Sequence, residues 1–101
     1  MDIINQAKNV FDIEIEALEK TKSALDYNFE KILLMVVNCT GKVVLTGMGK
    51  SGHIASKIAA TFSSLGTPAF FMHPAEALHG DLGMISANDI VIAISYSGES
   101  E

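Results

Sequence analysis

The segment Lys42-Val43-Val44-Leu45 runs without a break into Thr46-Gly47-Met48-Gly49-Lys50-Ser51-Gly52, and apolar residues then recur at helical spacing through Ile54, Ile58, Ala59, Phe62 and Leu65. A short continuous apolar run is the pattern of a strand covered on both faces, as in a parallel sheet. A strand that ends in glycines and hydroxyl side chains and then opens a helix makes an anion site, because backbone N–H groups and the positive end of the helix dipole converge there. A second turn of the same kind, Ser95-Tyr96-Ser97-Gly98-Glu99-Ser100, follows the apolar run Ile90-Val91-Ile92-Ala93-Ile94. Two such turns in one small α/β unit point to one phosphorylated ligand held from two sides.

The rest of the chain fits an α/β fold. Residues 2–25 read as an amphipathic helix, with Ile4, Ala7, Phe11, Ile15, Leu18 and Leu25 at helical spacing and Glu16 four residues before Lys20. Ile3, Val10 and Ile13 widen that apolar surface, so the helix is expected to cover a core and to have area left for a partner subunit. Asp26-Tyr27-Asn28 reads as a break, Phe29 opens a second helix that ends at Val37, and Gly41 suits a left-handed C-terminal residue. Gly66 and Pro68 stop the third helix. Ala69-Phe70-Phe71-Met72 is the next strand, residues 73–85 are mostly loop with one helical turn at 75–78, and residues 89–95 form the last strand. Strands alternating with a helix imply βαβ crossovers and a parallel sheet. Three strands make a thin sheet with one face poorly covered, which suggests part of a larger domain.

With 101 residues the chain has room for one domain, and 49% hydrophobic residues make it globular. The net charge of −5, with no basic run, argues against nucleic acid as a partner. No apolar run approaches the roughly 20 residues that span a membrane. The first residues lack the basic and apolar regions of a signal peptide. The single cysteine, Cys39, cannot form an internal disulfide, reads as a small buried hydrophobe, and fits a cytoplasmic protein.

Gly47-x-Gly49-x-x-Gly52 matches the dinucleotide fingerprint, but the strand that should end in a ribose-binding carboxylate ends in Phe71-Met72-His73-Pro74. Gly49-Lys50-Ser51 overlaps the P-loop motif, but the first glycine of that motif would fall on Val44. The glycines also admit a plain reading, a tight turn. Lys50 argues against it, since a cation at a helix start opposes the dipole unless an anion is bound. Lys50 is therefore a candidate acid/base group. Ser95, Ser97 and Ser100 around Gly98 can wrap a phosphate dianion with hydroxyls and backbone N–H groups. His53 follows Lys50 on the helix and either lines the pocket mouth or serves packing. Between the turns, residues 73–84 hold His73, Glu76, His79 and Asp81. His79 is a candidate acid/base group or a histidine that only bonds backbone. His73 and His79 are weak candidates for a metal, since their spacing matches no standard zinc signature.

Gly47-Met48-Gly49-Lys50-Ser51-Gly52-His53-Ile54, Gly66-Thr67-Pro68-Ala69-Phe70-Phe71, the long string His73-Pro74-Ala75-Glu76-Ala77-Leu78-His79-Gly80-Asp81-Leu82-Gly83-Met84, and Ser95-Tyr96-Ser97-Gly98-Glu99-Ser100 together resemble the arabinose-5-phosphate isomerases of the sugar isomerase (SIS) domain family. The likeness covers nearly everything after Gly41, and the central string is its most specific part. It implies a three-layer αβα sandwich on a parallel, flavodoxin-like sheet, of which this chain would hold about three of five strands behind two N-terminal helices. Residues 1–101 would then be a partial SIS domain, with helices over 1–40 and the β-α-β-loop-β part over 41–101.

The resemblance implies an aldose–ketose isomerase that interconverts D-ribulose 5-phosphate and D-arabinose 5-phosphate through an enediol, for synthesis of the sugar acid Kdo in lipopolysaccharide. Gly49, Ser51, Ser95, Ser97, Gly98 and Ser100 would bind the phosphate. Lys50 and His79 match residues of the catalytic site. A further glutamate and histidine of the family would follow Glu101, so the 101 residues alone are expected to be inactive. Tyr96 departs from the family's usual Asn, and Ala55-Ser56 from its Gly-Arg. The implied partners are a phosphorylated sugar and further copies of the chain, as a dimer or tetramer, with no nucleic acid, membrane, metal or other cofactor. Two other readings stand beside it: an SIS module that senses a sugar phosphate without turning it over, and another SIS phosphosugar isomerase.

Overall fold

The structure is a computed structural model and describes residues 2–78 and 81–96. The chain divides into two compact units, Met1–Leu33 and Leu34–Glu101.

The first unit is helical. Helix α1 spans Ile3–Ala24 and helix α2 spans Tyr27–Val37, running on into the second unit. Asp2 caps α1, its carboxylate accepting from the Asn5 N–H at 3.1 Å. Leu25, extended, ends it. The expected break is shorter than the sequence suggests. Asp26 accepts from the Asn28 N–H at 2.9 Å through its side chain and from the Phe29 N–H at 3.1 Å through its carbonyl, so α2 begins at Tyr27. Glu16 and Lys20 pair at 3.7 Å, as their spacing predicts. The expectation of a core-facing stripe on α1 is not met, for none of its residues is buried, and Ile3, Ile4, Phe11 and Leu18 are all well exposed.

The second unit is built on a parallel sheet. Strand β1 is Val43–Gly47, helix α3 is Lys50–Ser64, strand β2 is Ala69–Phe71, helix α4 is Pro74–Leu78, a 3₁₀ turn covers Asp81–Met84, and strand β3 is Ile90–Ile94. The strand order is β2-β1-β3, with β1 in the centre. Val43, Val44 and Leu45 lie opposite Ala69, Phe70 and Phe71 on one side and opposite Ile90, Val91 and Ile92 on the other. The continuous apolar run thus becomes the doubly covered strand that its pattern predicts, with Val43, Val44 and Leu45 all but inaccessible. Ala55 and Ala59 of α3 bury against Val43 and Leu45, with Ile58, Phe62, Phe71 and Ile92 around them. Strand β3 alternates half-buried and exposed residues, the mark of a sheet face left partly open.

The entry side of the sheet is held by one carboxylate. Asp89 accepts from the Lys42 N–H at 2.7 Å and from the Ser86 N–H at 2.9 Å, and the Lys42 ammonium lies 3.8 Å away. This ties the start of β3 to the start of β1 across 47 positions of sequence. The expectation that Gly41 adopts a left-handed conformation is corrected here. Among the described residues only Gly49 and Gly66 have positive φ. Gly41 is small because a Cβ there would run into the Asp89 carboxylate and come within 2.6 Å of the Asn88 carbonyl. Cys39 is half-buried, with Sγ 3.5 Å from the same Asn88 carbonyl.

The Lys42 N–H, then the Ser86 N–H, and more weakly the Lys42 charge, hold the Asp89 carboxyl below its ordinary 3.8 against an opposing push from desolvation. A carboxylate whose folded pKa is depressed stabilises the fold above its unfolded pKa, and that contribution is lost as pH falls through the folded value. The protein is therefore expected to lose denaturant resistance below about pH 4, and Asp89→Asn to flatten that acid limb while lowering the midpoint at neutral pH. Urea midpoints measured against pH for both proteins test this, and parallel curves would show that the carboxylate contributes nothing.

Candidate active site

The carboxyl ends of the strands carry the candidate site, the edge on which ligands bind in parallel α/β sheets. Because β2 and β3 lie on opposite sides of β1, the topological switch point falls at the end of β1, where Gly47 sits beside Ile94.

Glycine is required there for packing and for conformation. A Cβ on Gly47 would lie 2.9 Å from the Ile94 carbonyl oxygen and 2.9 Å from the Ser51 carbonyl carbon. A Cβ on Gly52 would lie 2.6 Å from the Gly47 carbonyl oxygen. The first turn of α3 is thus pressed onto the end of β1. Gly49, at φ 58° and ψ −130°, adopts a backbone conformation open in practice to glycine alone, with nothing within 4 Å of its Cβ position. The tight-turn reading of Gly47 and Gly52 is correct as far as it goes.

The helix start has anion-binding character as well. Gly49 is the N-cap of α3 and supplies no side-chain hydrogen bond, and the first turn contains no acidic residue. The Gly52 and His53 N–H groups reach back to the Met48 and Gly49 carbonyls at 3.3 and 3.2 Å. Lys50 and Ser51 are the first two residues of the helix, Lys50 exposed and Ser51 half-buried. Beside this turn lies a cavity of about 310 Å³ lined by Gly47, Gly49, Gly52, His53, Ser56, Phe71 and His73. That volume is at the lower end of the range for small-molecule sites. His53 therefore belongs to the cavity wall, one of the two positions its sequence context left open.

Of the predicted site residues, the structure places Gly49, Lys50 and Ser51 at one turn, and Ser95 directly after β3, half-buried. His79, Ser97, Gly98 and Ser100 lie outside the described residues. Among the described residues no group of three or more potential metal ligands comes together. The sequence does not single out Ser56 or Phe71. Ser56 stands one helical turn after Gly52, on the same side of α3, and that spacing is the available signal. Phe71 reads in sequence only as a strand residue.

Comparison with known proteins gives this geometry its family. The chain belongs to the SIS domain family, whose model matches residues 36–101. It is 59% identical over 100 residues to the arabinose 5-phosphate isomerase KdsD of Francisella tularensis, covering 96% of this chain and 31% of that protein. It is 55% identical over 100 residues to the enzyme of the same name from Yersinia pestis, covering 99% of this chain and 30% of the relative. The chain thus spans about a third of the length of these curated relatives. Among solved structures it matches E. coli CFT073 c3406 in complex with arabinose 5-phosphate, with a TM-score of 0.90 at 46% identity, over 99% of this chain and 55% of that one. The helices and parallel three-stranded sheet are accordingly part of the αβα fold of SIS proteins. No helix among the described residues is long and apolar enough to cross a membrane.

Proposed function

We propose that this chain carries part of the SIS domain of an aldose–ketose isomerase that interconverts D-ribulose 5-phosphate and D-arabinose 5-phosphate. The observation that supports this most is the match to a protein solved with arabinose 5-phosphate, over a region that includes the uncapped helix start and the cavity beside it. In this reading the phosphate sits between the α3 start and the turn after β3, held by Gly49, Ser51, Ser95, Ser97, Gly98 and Ser100. The isomerisation moves one proton between C1 and C2 through an enediol. It needs a base for that proton, an acid for ring opening, and donors for the developing oxyanion. Lys50 and His79 are assigned to the proton transfers. Oxidation state is conserved overall, so the reaction calls for no redox cofactor.

The exposed Ile3, Ile4, Phe11 and Leu18 of α1 support a homo-oligomer in which a second copy covers them. A cytoplasmic location is part of the same proposal, in keeping with a phosphorylated metabolite as substrate. The test is to incubate the full-length protein with ribulose 5-phosphate and follow arabinose 5-phosphate by NMR. Conversion to an equilibrium mixture is expected. A folded protein that binds the sugar phosphate and leaves it unchanged would identify a sensor instead.

A further inference from the structure

His73 is the first residue past Met72 on the carboxyl side of β2, and its ring is held from two directions. The Ala75 N–H donates to His73 Nδ1 at 3.0 Å, so the side chain caps the start of α4. The Phe71 ring meets the imidazole edge to face, with centroids 6.4 Å apart and planes at 82°. These contacts choose the tautomer. A nitrogen that accepts a hydrogen bond carries no proton, so the neutral ring bears its hydrogen on Nε2. The ring lines the cavity at the glycine turn, and with Phe71 it also lines a second cavity of about 270 Å³ that includes Glu76 and Met84. A cap alone would need only the Nδ1 half of the ring.

We propose that His73 is a substrate-binding residue: its Nε2–H donates to a hydroxyl oxygen of the sugar phosphate in the cavity and helps select which sugar is accepted. The assignment rests on the isomerase reading above. A hydroxyl fits better than the phosphate. The ring in this tautomer is neutral, and a second proton on Nδ1 would face the Ala75 N–H, donor against donor. Phe71 fixes the ring plane, so little rotational freedom is lost when the ligand arrives.

The two ends of the imidazole can be removed separately. In His73→Asn, Oδ1 stands where Nδ1 was, which keeps the cap and deletes the donor. In His73→Gln, the amide nitrogen reaches toward the Nε2 position, which keeps a donor and withdraws the cap. Kinetics of arabinose 5-phosphate conversion and melting temperatures are measured on the full-length protein and both variants. The Asn variant is expected to raise KM about tenfold at an unchanged melting temperature. The Gln variant is expected to recover most of that KM while melting lower. An Asn variant with the parent KM, or a Gln variant with the larger KM defect, would confine His73 to the cap and overturn the proposal. A parent protein inert toward arabinose 5-phosphate would overturn the isomerase reading and this proposal with it. An active parent with an unaffected Asn variant overturns this proposal alone.

Discussion

Lys50→Ala in the full-length protein is expected to lower turnover by about two to four orders of magnitude, the range that a positioned acid or base supplies, with the fold intact. Two observations support this. Lys50 is the first residue of α3, where its charge opposes the helix dipole, and nothing acidic stands in that turn to offset it. It is also exposed, so removing the side chain leaves no cavity and no unpaired buried partner. A position that is electrostatically unfavourable and structurally dispensable is best explained by the ligand it meets. Lys50→Arg separates the two things an ammonium can do there. Arginine keeps the charge but does not give up its proton. An Arg variant that binds substrate and fails to turn it over assigns proton transfer to Lys50. An Arg variant with near-parent turnover limits it to charge stabilisation, and near-parent activity in Lys50→Ala would remove it from the mechanism.

The second large effect is structural. Gly52→Ala is expected to destabilise the protein by about 2 kcal/mol, although alanine is favoured over glycine in a helix by about 1 kcal/mol. The clash outweighs propensity here. The new Cβ would stand 2.6 Å from the Gly47 carbonyl oxygen, and that oxygen belongs to the backbone of the central strand, which is paired on both sides. Relief requires either α3 or β1 to move. Gly83→Ala is the control. A Cβ there meets nothing within 4 Å, so its effect should stay within about 0.5 kcal/mol. Denaturant midpoints for the two variants decide the matter, and equal values would mean that the close approach of α3 to β1 is not needed.

How far the fold and the site can be read from sequence depends on whether a residue's role is local. Val43-Val44-Leu45 announces a doubly covered strand because continuous apolar character has few other uses in a short run. The glycine turn announces itself because strand, turn and helix are contiguous. The role of Gly41 is not legible because its cause is remote: its constraint comes from Asn88 and Asp89, far along the chain. The helical periodicity of α1 is legible, but periodicity does not say what lies against the apolar side, and none of those residues is buried. The start of α2 is set by the Asp26 side chain, a local signal that the reading of a break conceals. His73 falls between the two cases. Proline at the first position of α4 marks the residue before it as a cap, but its place on the cavity wall depends on how β2 sits beside β1. Ser56 and Phe71 belong to different elements and meet only through that packing.

Gly47 has a bearing on how substrate preference can change among proteins of this kind. Its backbone is in near contact with the last residue of β3 and with the first turn of α3, leaving no space for a side chain. The spacing between the two anion-binding elements is therefore set by main-chain contact alone. Evolution cannot widen or narrow it by exchanging one amino acid without disturbing the centre of the sheet. Diversification has to run through the side chains that border the cavity without supporting the frame. His53 and Ser56 on the exposed side of α3 are the positions open to such exchange, which lets catalysis be inherited while the choice of sugar drifts.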